Sequence, residues 1–297
     1  MVMKVGFVGL GIMGKPMSKN LLSAGYDLVV LDRNQAAVEE VVAAGASSIG
    51  SAKEMASVCD VIITMLPNSP HVKEVALGEG GILEGAKPGL TVIDMSSIAP
   101  KASQEIEKAL RAVGVNMLDA PVSGGEPKAV DGTLSVMVGG DKAIFEQYFA
   151  LMSAMAGTVV HTGAIGAGNV TKLANQVIVA LNIAAMSEAL ALATKAGVDP
   201  KLVYQAIRGG LAGSTVLDAK APLVFERKFE PGFRIDLHIK DLANALDTSH
   251  EVGAQLPLTA SVMEMMQALR NDGLGVADHC ALARYYEQLA KVTIEPK

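Results

Sequence analysis

Lys4-Val5-Gly6-Phe7-Val8-Gly9-Leu10-Gly11-Ile12-Met13-Gly14, residues 4–14, is the stretch on which the fold turns. A short run rich in β-branched and aromatic residues ends in Gly-x-Gly-x-x-Gly, and helical spacing follows from Lys15 to Ala24. Between a strand and a helix the three glycines have separate tasks. Gly9 permits a tight turn, Gly11 lets a pyrophosphate approach the backbone, and Gly14 lets helix and strand pack closely. The N–H groups of this loop, which also contains Leu10, Ile12 and Met13, and the positive end of the helix then face the phosphates. Residues 9–14 are read as the phosphate cradle of a dinucleotide.

Further strands are expected at Asp27 to Leu31, Val61 to Met65 and Thr91 to Met95, with weaker ones at Asn116 to Ala120, Leu134 to Gly139 and Thr158 to His161. Helical patterns at Ala36 to Ala44 and Pro100 to Val113 lie between them. Such alternation predicts a parallel, doubly wound α/β sheet. After the glycines of residues 161–169 strand signals fade, and helices are expected at Val170 to Ala196, Lys201 to Arg208, Leu237 to Val252, Pro257 to Asp272 and Cys280 to Val292. The expectation is therefore a Rossmann-like domain over residues 1–163 and an all-α domain over residues 164–297, the latter for substrate and oligomer contacts.

The 297 residues suffice for two cores. Half of them are hydrophobic, 4% are aromatic and none is Trp, so Ala, Val, Leu, Ile and Met must fill the interior. A net charge of −6 with no basic cluster argues against nucleic acid. Cys59 and Cys280 have no metal-ligand spacing, so free thiols and no metal are expected. The N-terminus lacks the layout of a signal peptide, which predicts a cytoplasmic protein. Residues 170–196 are apolar enough to resemble a membrane span, but Lys172, Asn175, Gln176, Asn182, Glu188 and Lys195 would be costly in lipid, so a buried helix is expected.

Asp32 and Arg33 close the second strand, eighteen residues after Gly14. An aspartate there accepts from a ribose 2′-OH and repels a 2′-phosphate, whereas an arginine binds one. The pair favours NAD and leaves NADP open. The loop Met65-Leu66-Pro67-Asn68-Ser69 and the segment Asp94-Met95-Ser96-Ser97 also lie at C-terminal strand ends, where ligands collect. The alternative for Ser96 or Ser97 is to cap the helix near Pro100. In Leu118-Asp119-Ala120-Pro121-Val122-Ser123-Gly124-Gly125, a hydroxyl beside two glycine N–H groups suits a carboxylate, or else forms an ordinary loop. Lys172 and Asn175 share a helix face beside Gln176. A lysine buried there would have its pKa lowered toward proton transfer; one reaching solvent would not. Lys240-Asp241 alone reads as a surface ion pair.

Taken in order from FVGLGIMGKPMSKNL through DAPVSGG and GNVTKLANQ to HIKDL, these motifs resemble the β-hydroxyacid dehydrogenases along the whole chain. The resemblance implies Lys172 as catalytic acid/base, Asn175 holding substrate, and Ser123, Gly124 and Gly125 gripping its carboxylate. It implies dinucleotide contacts at Leu66, Pro67 and Ser97, and Lys240 closing over the nicotinamide end. Wording such as MLPNSPHVKEVALGEGG further implies tartronate semialdehyde as substrate, reduced reversibly to D-glycerate. Gln176 replaces a second Asn common in relatives, and His71 replaces an Asn of the hydroxyisobutyrate enzymes, which weakens the hydroxyisobutyrate reading; 3-hydroxyisobutyrate or another short β-hydroxy acid is the alternative substrate. A non-catalytic dinucleotide sensor is the alternative of another class. The partners implied are a small hydroxy or oxo acid and further copies of the chain, as a dimer or tetramer.

Overall fold

The computed structural model describes residues 3–297, which form two compact units that divide between Lys172 and Leu173. In the first unit, strands and helices alternate as β1 (Lys4–Val8), α1 (Gly14–Ser23), β2 (Asp27–Leu31), α2 (Gln35–Ala43), β3 (Ser47–Ser48), α3 (Ala52–Val58), β4 (Val61–Thr64), α4 (Ser69–Leu77), α5 (Ile82–Gly85), β5 (Thr91–Asp94), α6 (Pro100–Arg111) and β6 (Asn116–Asp119). Then come β7 (Val122–Ser123), α7 (Gly125–Val130), β8 (Leu134–Gly140), α8 (Lys142–Ser153) and β9 (Ala156–Gly163), followed by the long helix α9 (Ala167–Lys195).

Among the described residues the strands form one sheet in the order β3-β2-β1-β4-β5-β6-β8-β7, with β9 paired to β8. The first six positions are parallel, as the alternation predicts. β8 departs from that expectation by running antiparallel to β6 and β7, though parallel to β9. The strands carry apolar side chains on both faces because helices cover both. Val5, Phe7, Val30 and Ile63 point into one buried cluster, and Val29, Ile62 and Val92 into another. Gly6 is dictated by that second layer: a Cβ there would lie 2.5 Å from the Met55 sulfur.

The second unit continues α9 and adds α10 (Pro200–Ile207), α11 (Thr215–Phe225), α12 (Ile235–Val252), α13 (Pro257–Leu269) and α14 (Leu282–Ala290). Asp199 caps α10 with Pro200 in its first turn, as the Asp-Pro pair predicts. α11 was not anticipated; Pro222 inside it masks the helical pattern. The core gathers Ile183, Leu190, Leu217, Ile239, Leu242 and Met266. Asp278 ties its far side together by accepting from Lys220 Nζ at 2.9 Å and from the backbone of Phe233 and Cys280. Burial opposes its charge, but His279, Lys220 and those N–H donors outweigh it and hold the carboxyl down to about 2. Arg227 grips Glu287 with two bonds.

The compact units divide within α9, at Lys172/Leu173, where the start of the helix is bonded to the sheet through Asp119. One expectation is corrected: helix α9 is only partly covered, and Val170, Ile178 and Leu192 remain exposed along it. Its length and composition would suffice to cross a membrane. Cys59 and Cys280 are both buried, and burial pushes the Cys59 thiol up to about 11.

Candidate active site

The glycine loop after β1 shows which glycines the protein itself requires. Gly9 has φ +100°, and a Cβ on it would sit 2.3 Å from the Met65 carbonyl oxygen. A Cβ on Gly14 would lie 1.8 Å from the Gly9 oxygen. Gly11 differs: it is exposed, and a Cβ there would meet no protein atom within 4 Å. Its smallness serves nothing in the packing, so it leaves room for a ligand to lie against the backbone. No side chain caps the N-terminus of α1, and no acidic residue stands in its first turn, so its N–H groups face outward with their positive dipole end. Ile12 is exposed, Met13 half-buried and Leu10 buried. This cradle fits a pyrophosphate.

Beside it lies a cleft of about 500 Å³, bounded by Gly9, Asp32, Arg33, Leu66, Pro67 and Glu74 among others. It sits at the C-terminal ends of β1 and β4, where strand order reverses and ligands bind in open α/β sheets. Asp32 is already engaged: Oδ2 accepts from Leu10 N at 2.5 Å and Oδ1 from Asn34 N at 2.7 Å. Each oxygen keeps a second lone pair, and the carboxylate is fixed against the glycine loop. Arg33 pairs with Glu74 at 2.6 Å, both largely exposed.

Ser96 does something the sequence did not suggest. Its Oγ accepts from Leu66 N at 2.8 Å and so shapes the Leu66-Pro67 loop, while its own N–H donates to Asp94 Oδ1. The expected serine cap of α6 is absent. Ala99 occupies that position, and its N–H donates to Ser69 Oγ. Ser97 is half-buried on the same connection.

Lys172 is positioned by a carboxylate the sequence reading quoted but gave no task. Asp119, at the end of β6, accepts from Gly166 N at 2.7 Å and from Asn169 N at 2.8 Å. It thereby clamps the start of α9 onto the sheet. Gly168 makes the approach feasible, since a Cβ there would sit 2.4 Å from the carbonyl oxygens of Asp119 and Met137. Asn169 adds a second tie by accepting from Ile98 N and donating to Ser103 Oγ. Burial pushes the Asp119 carboxyl up to about 7, against the pull of the backbone donors. Lys172 follows three residues after Asn169 and is only 7% exposed.

From the same strand end the chain enters β7, where Ser123 is half-buried, and then exposed Gly124 and Gly125 with φ +141° and +69°. The stem of Lys128 lies over Gly124, leaving no room for a Cβ. That lysine was missed by sequence reasoning; its spacing four residues from Gly124 was the available signal.

In the second unit, Asn175, one helical turn beyond Lys172, donates to Gln176 Oε1 at 2.9 Å. Gln176 donates in turn to Asp241 Oδ2 at 2.6 Å, and Asp241 Oδ1 lies 2.9 Å from Lys240 Nζ. The Lys240-Asp241 pair is therefore not a surface pair: Asp241 is buried and Lys240 only partly exposed. Gln176, noted as a departure from relatives, is the buried link between α9 and α12.

Residues 4–163 match the NAD binding domain of 6-phosphogluconate dehydrogenase, and residues 166–286 the NAD-binding region of NADP-dependent 3-hydroxyisobutyrate dehydrogenase. The chain is 43% identical over 288 residues to 2-hydroxy-3-oxopropionate reductase of Escherichia coli (strain K12), covering 97% of this chain and 98% of that one. Among solved structures it is similar to 3-hydroxyisobutyrate dehydrogenase of Mycobacterium tuberculosis with L-serine, at 32% identity and TM-score 0.88, covering 96% and 99% of the two chains. A 3-hydroxyisobutyrate dehydrogenase of Salmonella typhimurium gives 33% identity and TM-score 0.86, covering 95% and 99%. The cofactor is a nicotinamide dinucleotide, and the chain belongs to the β-hydroxyacid dehydrogenase family.

Proposed function

We propose that the chain reduces tartronate semialdehyde (2-hydroxy-3-oxopropionate) to D-glycerate, reversibly, with Lys172 as general acid. The observation that carries the reading is a buried lysine on a helix start clamped to the sheet by Asp119, on the same unit as the Ser123-Gly124-Gly125 loop. The name of the relative at 43% identity supports the choice of substrate. The bound dinucleotide supplies the hydride in reduction and accepts it in reverse.

The remaining chemistry belongs to the chain. Ser123 Oγ and the N–H groups of Gly124 and Gly125 hold the substrate carboxylate, with Lys128 adding positive charge nearby. Lys172 Nζ gives its proton to the carbonyl oxygen as the hydride reaches the aldehyde carbon, and takes it back from the hydroxyl in the oxidative direction. Asn175 holds the substrate from the next helical turn, and Lys240 contacts the nicotinamide end. Gly9 to Gly14, Asp32, Leu66, Pro67 and Ser97 hold the dinucleotide, with NAD favoured over NADP. The exposed apolar side chains of α9 suit contact with another copy, so a homo-oligomer is proposed, to be checked by light scattering.

The test is oxidation of NADH and of NADPH by the purified chain with tartronate semialdehyde, beside NAD-linked oxidation of D-glycerate and 3-hydroxyisobutyrate. Fast turnover of the semialdehyde with glycerate oxidised in reverse is expected. The names of the solved relatives favour 3-hydroxyisobutyrate as the second reading; turnover of that acid alone would replace the substrate and keep the lysine's role. Cofactor binding without turnover of any acid would make the chain a sensor.

A further inference from the structure

We propose that Glu74 is a specificity-determining residue that biases the cleft against a 2′-phosphate and so toward NAD. The inference rests on the reading that the cofactor's adenosine ribose lies beside Asp32 and Arg33. Glu74 stands on α4, remote in sequence from the glycine loop, yet it lines the same cleft and meets Arg33 at 2.6 Å. From sequence, Asp32 and Arg33 leave the choice between NAD and NADP open; in the fold Arg33 is already paired with Glu74.

The charge balance decides the direction. Asp32 is held by the backbone N–H groups of Leu10 and Asn34, so its negative charge stays at the cleft and is not spent on Arg33. Asp32, Arg33 and Glu74 contribute −1, +1 and −1, and the lining carries a net −1 apart from His71. A ribose hydroxyl is neutral and finds an acceptor in Asp32. A 2′-phosphate dianion instead meets two carboxylates and a guanidinium whose fork is already turned to one of them. The ion pair is exposed and weak in itself, so a lock on Arg33 is the smaller effect. The larger one is that Glu74 keeps a negative charge beside the guanidinium however the pair rearranges. Glu74→Gln brings the lining to zero net charge and frees Arg33 to take phosphate oxygens bidentately.

Calorimetric titration of the protein with adenosine 2′,5′-bisphosphate and with AMP, and then with NADPH and NADH, tests this apart from turnover. Glu74→Gln should raise the bisphosphate-to-AMP affinity ratio at least roughly tenfold, the scale of one hydrogen bond to a charged group. The double variant Arg33→Ala/Glu74→Gln should lose that gain. An unchanged ratio in Glu74→Gln, or a gain that survives loss of Arg33, overturns the inference while AMP and NADH binding to the native chain leave the cofactor site intact. If Asp32→Ala leaves AMP and NADH binding untouched, the ribose is elsewhere and both the inference and its premise fall.

Discussion

Asp119→Asn keeps the side-chain volume and alters the bonds that set the start of α9. The native carboxyl offers one oxygen to Gly166 N and the other to Asn169 N, at 2.7 and 2.8 Å in a buried setting. The acid, charged or neutral, keeps a lone pair on each oxygen for these donors, whereas an amide offers one acceptor oxygen and its NH₂ group then faces the other N–H. One orphaned buried donor costs about 1–3 kcal/mol. Against this, the amide never has to bury a charge, and that credit depends on pH. Burial raises the Asp119 pKa from an ordinary 3.8 to about 7 in the folded chain. Between those values the folded state binds the proton and the unfolded state has released it, so native stability falls as pH rises, by about 1.4 kcal/mol per unit. The contribution is fully present below pH 4 and lost by pH 7 and above. The variant lacks this slope. It should therefore be less stable than the native chain by about 2 kcal/mol near pH 4.5, and that deficit should shrink to nothing or reverse by pH 8. Urea-denaturation midpoints of both proteins at the two pH values measure the difference. A deficit that grows with pH would refute the reasoning, because it would mean that the N–H donors outweigh burial and that Asp119 is held charged.

Other outcomes follow from the same geometry. Lys172→Ala should lower kcat by roughly 10²-fold or more, and near-normal turnover in steady-state assays would remove the lysine from proton transfer. Gly11→Ala should leave thermal stability almost unchanged, since its Cβ meets no protein atom, while weakening NADH binding in calorimetry; a normal Kd would show that the dinucleotide does not lie against Gly11. Gly168→Ala must move the start of α9 by about 1 Å to relieve contacts of 2.4 Å, and a shift of that size costs roughly 10²-fold in rate. Equal kcat in that variant would uncouple the helix start from the chemistry. Asp241→Asn leaves one oxygen to serve both Gln176 and Lys240, so KM should rise roughly tenfold; a change in melting temperature with constant KM would make Asp241 merely structural.

What the sequence carries and what it omits divide along a physical line. The glycine loop, the parallel strands and the long helix were legible because each is a local pattern: a turn that needs Gly9, two apolar faces on each strand, a 3.6-residue repeat. The shared helix face of Lys172 and Asn175 was legible through the same repeat, while the roles proposed for them come from the family resemblance. The groups that orient them were not. Asp119 sits in the middle of a quoted motif, yet its partners are the N–H groups of Gly166 and Asn169, and no local propensity says which distant backbone donor a carboxylate will meet. Ser96 illustrates the reverse error. Its position before Pro100 reads as a helix cap, but the hydroxyl turns to Leu66 N on a neighbouring strand end because that donor is nearer in space than in sequence. Gln176 was seen as a neighbour of Lys172 and Asn175 and as a departure from relatives, whereas in the fold its longer amide spans to Asp241 on α12. The direction of β8 was misread for the same reason: a short apolar strand looks alike whichever way it runs, and only its pairing with β6 decides. The residues proposed to do the chemistry are local features of sequence, while the residues that hold them in place are features of topology. That asymmetry is why substitutions at Asp119, Gln176, Asp241 and Glu74 test the functional reading more severely than another substitution in the glycine loop.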